Sequence, residues 1–321
     1  FVLGSLASGI LLYGMSLLYG ATGTLELSQI ALSFSGGAGD NLLLTFGLVF
    51  VVVGVAFKLG VVPMHMWVPD VYDGAPLAST IFIATVPKIG SLALAIRLLE
   101  DGLHTLHGDW QLMLVVIAAL SLVLGNLAAI AQSNIKRMLA YSTISHMGFM
   151  LLGVLAGTSE GYAAAMFYTL AYVVMSAGAF AMVIYLSKQG HEAQEISDFK
   201  GLAKRSPWHA FLMLMIMFSL AGIPVFLGFF AKWQVIAAAI EAGFTGLAVL
   251  AVIMAVVGAF YYLRVVKVMY FDEPEDASEP PTIPADFQAL LTVNGLAVLA
   301  LGLFSGGLIQ LCISAFTETI G

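Results

Sequence analysis

Nine stretches of about twenty or more almost uncharged residues follow one another along the chain, at 1–20, 42–62, 77–98, 111–131, 138–157, 161–187, 209–240, 242–270 and 287–316. Crossing a hydrocarbon core of about 30 Å takes roughly 20 apolar residues of helix. Backbone groups inside lipid must find their partners within the protein, so a lone spanning segment is helical rather than extended. The pattern therefore predicts an all-α fold, a polytopic membrane helix bundle of nine spans. Composition agrees. Of 321 residues, 60% are hydrophobic and 10% charged, where soluble domains carry about 25% charged residues, and the mean hydropathy is +0.99. The net charge of −7 adds little, because six of the nineteen acids lie in one run over 272–286.

Several functions are excluded early. The single cysteine, Cys312, rules out a disulfide framework, an iron–sulfur site and a four-cysteine zinc site within the chain. No strand-anchored GxGxxG is present to bind a dinucleotide, and Gly36-Gly37-Ala38-Gly39 reads as a loop between spans. Nothing in the sequence points to nucleic acid. The first residue is Phe1, and an apolar run begins at once without a charged leader, so the start is not a signal peptide and the chain is expected to have lost its beginning.

The stretch 209–240 is too long for one straight crossing, since it would reach roughly 48 Å at 1.5 Å per residue. In its middle lies Ala221-Gly222-Ile223-Pro224, which predicts a helix broken at Pro224. Gly60-Val61-Val62-Pro63 predicts the same event in the second span, at Pro63. A proline deletes the hydrogen bond to the carbonyl four residues back, which frees Leu59 and Leu220; Pro87 likewise frees Ile83. Paired broken helices are the sequence sign of an inverted-repeat transporter. Lys and Arg near span ends set orientation. With alternating spans, Lys136, Arg137, Lys188, Lys200, Lys204, Arg205, Arg264 and Lys267 fall on one side and only Arg97 on the other. The positive loops are expected to be cytoplasmic, with residue 1 on that side and Gly321 periplasmic. Trp67, Trp110 and Trp208 near span ends read as interfacial aromatics.

Three lysines remain after the loops are assigned: Lys58, Lys88 and Lys232, each alone in an otherwise uncharged span. A lysine at mid-bilayer costs about 2.5–3.5 kcal/mol on insertion scales. One reading is snorkelling, in which the long stem carries the ammonium to a headgroup. The other is a proton relay. Low dielectric disfavours the charged form and a nearby carboxylate restores it, so moving that carboxylate toggles the proton. No Asp or Glu lies within the spans except at their ends, so counter-charge has to come from outside them. His65, after the first break, and His146, in Tyr141-Ser142-Thr143-Ile144-Ser145-His146, are second-rank relay candidates, or helix-packing hydrogen bonders.

The segment Phe57-Lys58-Leu59-Gly60-Val61-Val62-Pro63-Met64-His65-Met66-Trp67-Val68-Pro69-Asp70-Val71-Tyr72-Asp73-Gly74-Ala75-Pro76 resembles the signature of the subunit N family of respiratory NADH–quinone oxidoreductase, complex I. Gln132-Ser133-Asn134-Ile135-Lys136-Arg137 with Ser145-His146-Met147-Gly148, and Ser219-Leu220-Ala221-Gly222-Ile223-Pro224 with Gly228-Phe229-Phe230-Ala231-Lys232, fit the same family. Sibling subunits L and M and Mrp-type cation/proton antiporters carry a related motif, and Asp70-Val71-Tyr72 points to N. The resemblance implies a fragment of a fourteen-span inverted-repeat antiporter-like fold, beginning at span six. It implies that residues 1–110 end the first repeat, 111–270 form the second, and 271–321 hold an acidic loop and the last span. It places Lys58, Lys88 and Lys232 at the family's relay lysines, while the family's glutamate lies on a span this chain does not contain.

The implied function is proton translocation in a bacterial inner membrane, coupled to quinone reduction elsewhere in the complex. NADH, FMN, iron–sulfur clusters and quinone would belong to other subunits; this chain would bind none of them and would contact other membrane-arm subunits and the lipid bilayer. The alternatives are an Mrp-type antiporter subunit and an inert membrane scaffold.

Overall fold

The computed structural model describes residues 1–33, 42–187, 192–274 and 283–320. The loop glycines at 36–39, Lys188, Gly321 and the middle of the acidic run lie outside these. Among the described residues fourteen α-helices run α1 Val2–Thr22, α2 Leu27–Ser33, α3 Leu42–Leu59, α4 Trp67–Gly74, α5 Leu77–Ile96, α6 His107–Ile130, α7 Ile135–Leu155, α8 Ser159–Leu186, α9 Leu202–Arg205, α10 Pro207–Ala221, α11 Leu227–Glu241, α12 Thr245–Phe271, α13 Ala285–Leu303 and α14 Ser305–Ile320. Among the described residues eight helical segments are long and apolar enough to cross a membrane. The seventh predicted span, 209–240, is the pair α10 and α11, fifteen residues each.

Both predicted interruptions are present, between Leu59 and Trp67 and between Ala221 and Leu227. Glycine ends each helix, one step before the proline acts. Gly60 (φ 76°) and Gly222 (φ 88°) sit in the left-handed region, where a residue with no Cβ meets no steric penalty. The N–H of the following residue reaches five residues back in both cases: Val61 donates to Ala56 O at 3.1 Å and Ile223 to Phe218 O at 3.0 Å. This is the left-handed cap that closes many helices, with a proline shortly after it to stop the helix resuming. Pro87, by contrast, lies inside an uninterrupted α5.

One more interruption was not anticipated. The predicted span 287–316 is two helices, α13 and α14, parted at Phe304 (φ −114°, ψ 34°). Ser305-Gly306-Gly307 follow immediately, and each glycine costs about 1 kcal/mol relative to alanine in a helix. The second piece turns toward α8, where the Phe316 and Tyr162 rings lie 6.0 Å apart.

The helix α7 forms the axis of the bundle. Between Ile135 and Leu155 all of its residues are buried except Arg137 and Tyr141. Small residues let its neighbours approach closely, as membrane helix packing requires: a Cβ on Gly125 of α6 would meet Ser145 N at 2.7 Å, and one on Gly153 would meet Gly161 O of α8 at 2.6 Å. The opening helix α1 is peripheral and leans on α3.

Two expectations are corrected by burial. Lys136, expected among loop cations, is fully buried in the first turn of α7. Its Nζ donates to the carbonyls of Asp73 (2.6 Å) and Ala75 (3.2 Å) at the end of α4, and meets Glu192 at 3.2 Å. Trp110, expected at an interface, is 0% exposed and donates its indole N–H to Leu103 O at 3.1 Å. Both residues are long enough to reach backbone carbonyls left open at a helix end, which sequence position alone does not reveal.

Candidate functional site

Each break leaves helix carbonyls without partners, and a buried carbonyl without a partner costs about 1–3 kcal/mol. In both breaks a lysine supplies the partner. Lys88, on α5 and 1% exposed, donates from Nζ to Leu59 O at 2.9 Å. Lys232, on α11 and 8% exposed, donates to Leu220 O at 3.0 Å and Ala221 O at 2.8 Å. The aligned peptide dipoles place about half a negative charge at a helix C-terminus, so these are the favourable ends for an ammonium. An aromatic face adds to each: the Trp67 ring centroid lies 5.1 Å from Lys88 Nζ, and that of Phe149 5.1 Å from Lys232 Nζ. Among the described residues neither ammonium has a carboxylate partner.

Lys58 is placed differently. Its side chain is exposed and lines a cavity of about 320 Å³ with Gly4, Ser8, Trp67, Ile83 and Ser91. Its carbonyl accepts from Ser91 Oγ at 3.4 Å, so Lys58 and Lys88 flank the same α3–α5 contact. The backbone just past this break is held by Ser121 of α6, which accepts the Val62 N–H at 2.9 Å. Ser121→Ala would strip that buried N–H of its partner and is expected to cost about 1–3 kcal/mol, read as a lower midpoint in thermal unfolding of the detergent-purified protein. An unchanged midpoint would mean that water replaces the hydroxyl.

His146 stands at the centre of a polar cluster inside the bundle. Its Nδ1 lies 2.6 Å from the Tyr168 hydroxyl and its Nε2 3.0 Å from that of Tyr262. Tyr262 also bonds Ser142. One turn away Thr143 bonds Tyr172 at 2.7 Å, and on the flank Asn126 joins Ser145 and Tyr261 at 2.8 and 3.1 Å. The cluster reaches Lys232 through Phe149, whose ring stacks on Tyr168 at 6.1 Å. The structure thus brings His146 and Lys232 together. Among the described residues no hydrogen bond carries this cluster on to Lys88, and His65, in the turn after α3, has a buried Nδ1 without a hydrogen-bond partner.

Sequence reasoning named Ser142 and His146 but missed the tyrosines. A signal was present: Tyr168 and Tyr172 lie four apart in an apolar span, on one helix face, and Tyr261-Tyr262 interrupt another. Among the described residues no group of three His, Cys, Asp or Glu could hold a metal ion.

Discontinuous helices whose broken ends meet ionisable side chains inside a bundle are typical of polytopic membrane transporter folds. A family model described as "NADH:quinone oxidoreductase/Mrp antiporter, TM" matches residues 1–258, and the chain belongs to that family. It is a multi-pass membrane protein. NADH-quinone oxidoreductase subunit N of Thioalkalivibrio sulfidiphilus (strain HL-EbGR7) is 57% identical over 318 residues, 99% of this chain and 66% of that protein. The subunit N of Azoarcus sp. (strain BH72) is 59% identical over 320 residues, 97% and 65% respectively. The chain thus spans just under two thirds of the length of these relatives. A chain of respiratory complex I from Thermus thermophilus with bound aureothin superposes with a TM-score of 0.81 at 35% identity, over 97% of this chain and 67% of that one. A chain of the Mrp complex from Dietzia sp. DQ12-45-1b gives 0.86 at 25% identity, over 99% and 66%.

Proposed function

We propose that this chain is the larger part of a proton-translocating subunit of NADH–quinone oxidoreductase, in which Lys58, Lys88, Lys232 and, behind them, His146 and His65 pass protons through the bundle. The observation that carries the reading is the pair of buried ammonium groups, Lys88 and Lys232, each seated on the open carbonyls of a broken helix with no carboxylate beside it among the described residues. An ammonium held only by neutral dipoles keeps its proton less tightly than one paired with an anion. An approaching or receding carboxylate, from parts of the protein outside this chain, then loads or unloads it. Redox chemistry with NADH, FMN, iron–sulfur clusters and quinone takes place in other subunits, and neighbouring membrane-arm subunits transmit the charge change. The positive loops face the cytoplasm of a bacterial inner membrane, and the two breaks belong to two repeats, divided near residue 110.

The test uses the full-length subunit in its assembled complex. Lys58→Ala is expected to leave assembly intact, since an exposed side chain packs little, and to lower proton uptake into proteoliposomes; normal uptake would remove Lys58 from the relay. The likeness to an Mrp complex favours a second reading, cation/proton antiport. Repeating the measurement without Na⁺ or K⁺ separates the two, because antiport then stops while a proton relay continues.

A further inference from the structure

The two halves of the second broken helix are joined by a turn that carries backbone strain. Val225 has φ 83°, and among the described residues it is the one non-glycine in the left-handed region. A β-branched side chain crowds its own backbone there and is an outlier, whereas Gly222 adopts a similar angle of 88° without a Cβ to clash. With Pro224 before it, Val225 fills the second central position of the turn, a place where a left-handed backbone calls for glycine. In the first break the positive angle falls on Gly60 alone.

Such strain persists only where the surroundings impose it, and the source is visible. Gly302, in the last turn of α13, lies against this turn: a Cβ there would meet Val225 O at 2.3 Å and Leu227 N at 2.7 Å. Helix α13 ends at the next residue, Leu303, and parts from α14 at Phe304, so the two interruptions lie side by side. On α10, the Phe218 ring meets Phe226 edge-on at 6.1 Å. Two ties then close the gap between the halves. The Gly228 N–H donates to Ser219 Oγ at 2.9 Å, and Lys232 donates to Leu220 O and Ala221 O.

We propose that Val225 is the loaded hinge of the second broken helix, setting the seated position of Lys232 against a released one. In the released position Val225 relaxes to an ordinary backbone angle, α11 swings away from α10, and the ammonium leaves the Leu220 and Ala221 carbonyls. Only hydrogen bonds change in the swing. Seating gains two charge-assisted hydrogen bonds and costs the strain at Val225; release does the reverse. The two terms are of similar size, which keeps the positions close in free energy, as a switching element requires. Without that load Lys232 would stay fixed on its carbonyls. The inference rests on the proton-relay reading of Lys232, since a lysine that never leaves its seat passes no proton on.

The experiment compares Val225→Gly with Val225→Ala in the full-length subunit of the assembled complex, with Lys232→Ala in parallel, reading proton uptake into proteoliposomes. Both changes at Val225 remove a side chain that is 48% exposed, but only glycine removes the strain, because alanine keeps a Cβ at a positive angle. Uptake is expected to fall on the order of tenfold in Val225→Gly and to stay near parental in Val225→Ala. Hydrogen exchange across residues 223–232 is expected to slow in Val225→Gly alone. Equal loss of uptake in the two would mean lost packing and overturns the hinge. Parental uptake in Val225→Gly with loss in Lys232→Ala overturns the hinge and spares the relay; parental uptake in Lys232→Ala overturns the relay and the hinge with it. Should Val225→Gly fail to assemble, exchange in the detergent-purified full-length subunit carries the test: slower exchange supports the hinge, and unchanged or faster exchange overturns it.

Discussion

Lys232→Ala is expected to lower proton uptake by the assembled complex by tenfold or more, and Lys232→Arg is expected not to restore it. The two substitutions separate the two things this lysine does. It caps the open carbonyls of Leu220 and Ala221, and in the proposed relay it surrenders a proton. Alanine removes both, leaving two buried carbonyls bare at about 1–3 kcal/mol each. Arginine carries five N–H donors and can still cap the helix, but its guanidinium does not release a proton in proteins. Proton uptake in reconstituted vesicles, with assembly followed alongside, decides the matter. A well-assembled Lys232→Arg complex pumping like the parent would reduce Lys232 to a helix cap and leave the scaffold reading standing.

A larger structural effect is expected from Gly228→Ala. The two halves of the second broken helix touch at this point: a Cβ on Gly228 would lie 1.9 Å from Ser219 O and 3.0 Å from Met175 Sδ. Met175 is flexible and can move aside, but Ser219 O is backbone and cannot, so α10 and α11 have to separate. That would also pull the Gly228 N–H from Ser219 Oγ, now 2.9 Å away. Forced overpacking of a well-packed core costs about 1–3 kcal/mol, more where backbone has to move, and this site lies at the upper end. The readout is the amount of subunit recovered in the assembled membrane complex, expected to fall severely. Gly90→Ala in α5, where an added Cβ meets nothing within 4 Å, is the matched control and should assemble normally. Equal recovery of the two would show that the break yields easily.

The glycines at the breaks show how legible such features are in advance. The strings Gly60-Val61-Val62-Pro63 and Ala221-Gly222-Ile223-Pro224 announce a helix that cannot continue, because proline lacks the donor and glycine takes the left-handed turn. Local chemistry of this kind is written in a few adjacent residues. The break at Phe304 is less legible although Ser305-Gly306-Gly307 mark it and thirty residues exceed one straight crossing, because hydropathy over 287–316 stays high and no proline lies within it.

The sequence by itself determined the membrane bundle, the order of its spans, the two discontinuities and the identity of the lone charged side chains, since each depends on residue type and short spacing. Only the tertiary structure decided where those charges go. Lys88 finds Leu59, 29 residues away, while Lys58, beside Leu59, turns outward. Lys136, indistinguishable in sequence from a loop cation, is carried inside because α4 ends above it. Tyr72, Tyr168, Tyr172 and Tyr262 come from three helices and converge on α7 only when those helices pack. Contacts between residues far apart in the chain follow from the register of packed helices, and no local spacing encodes that register.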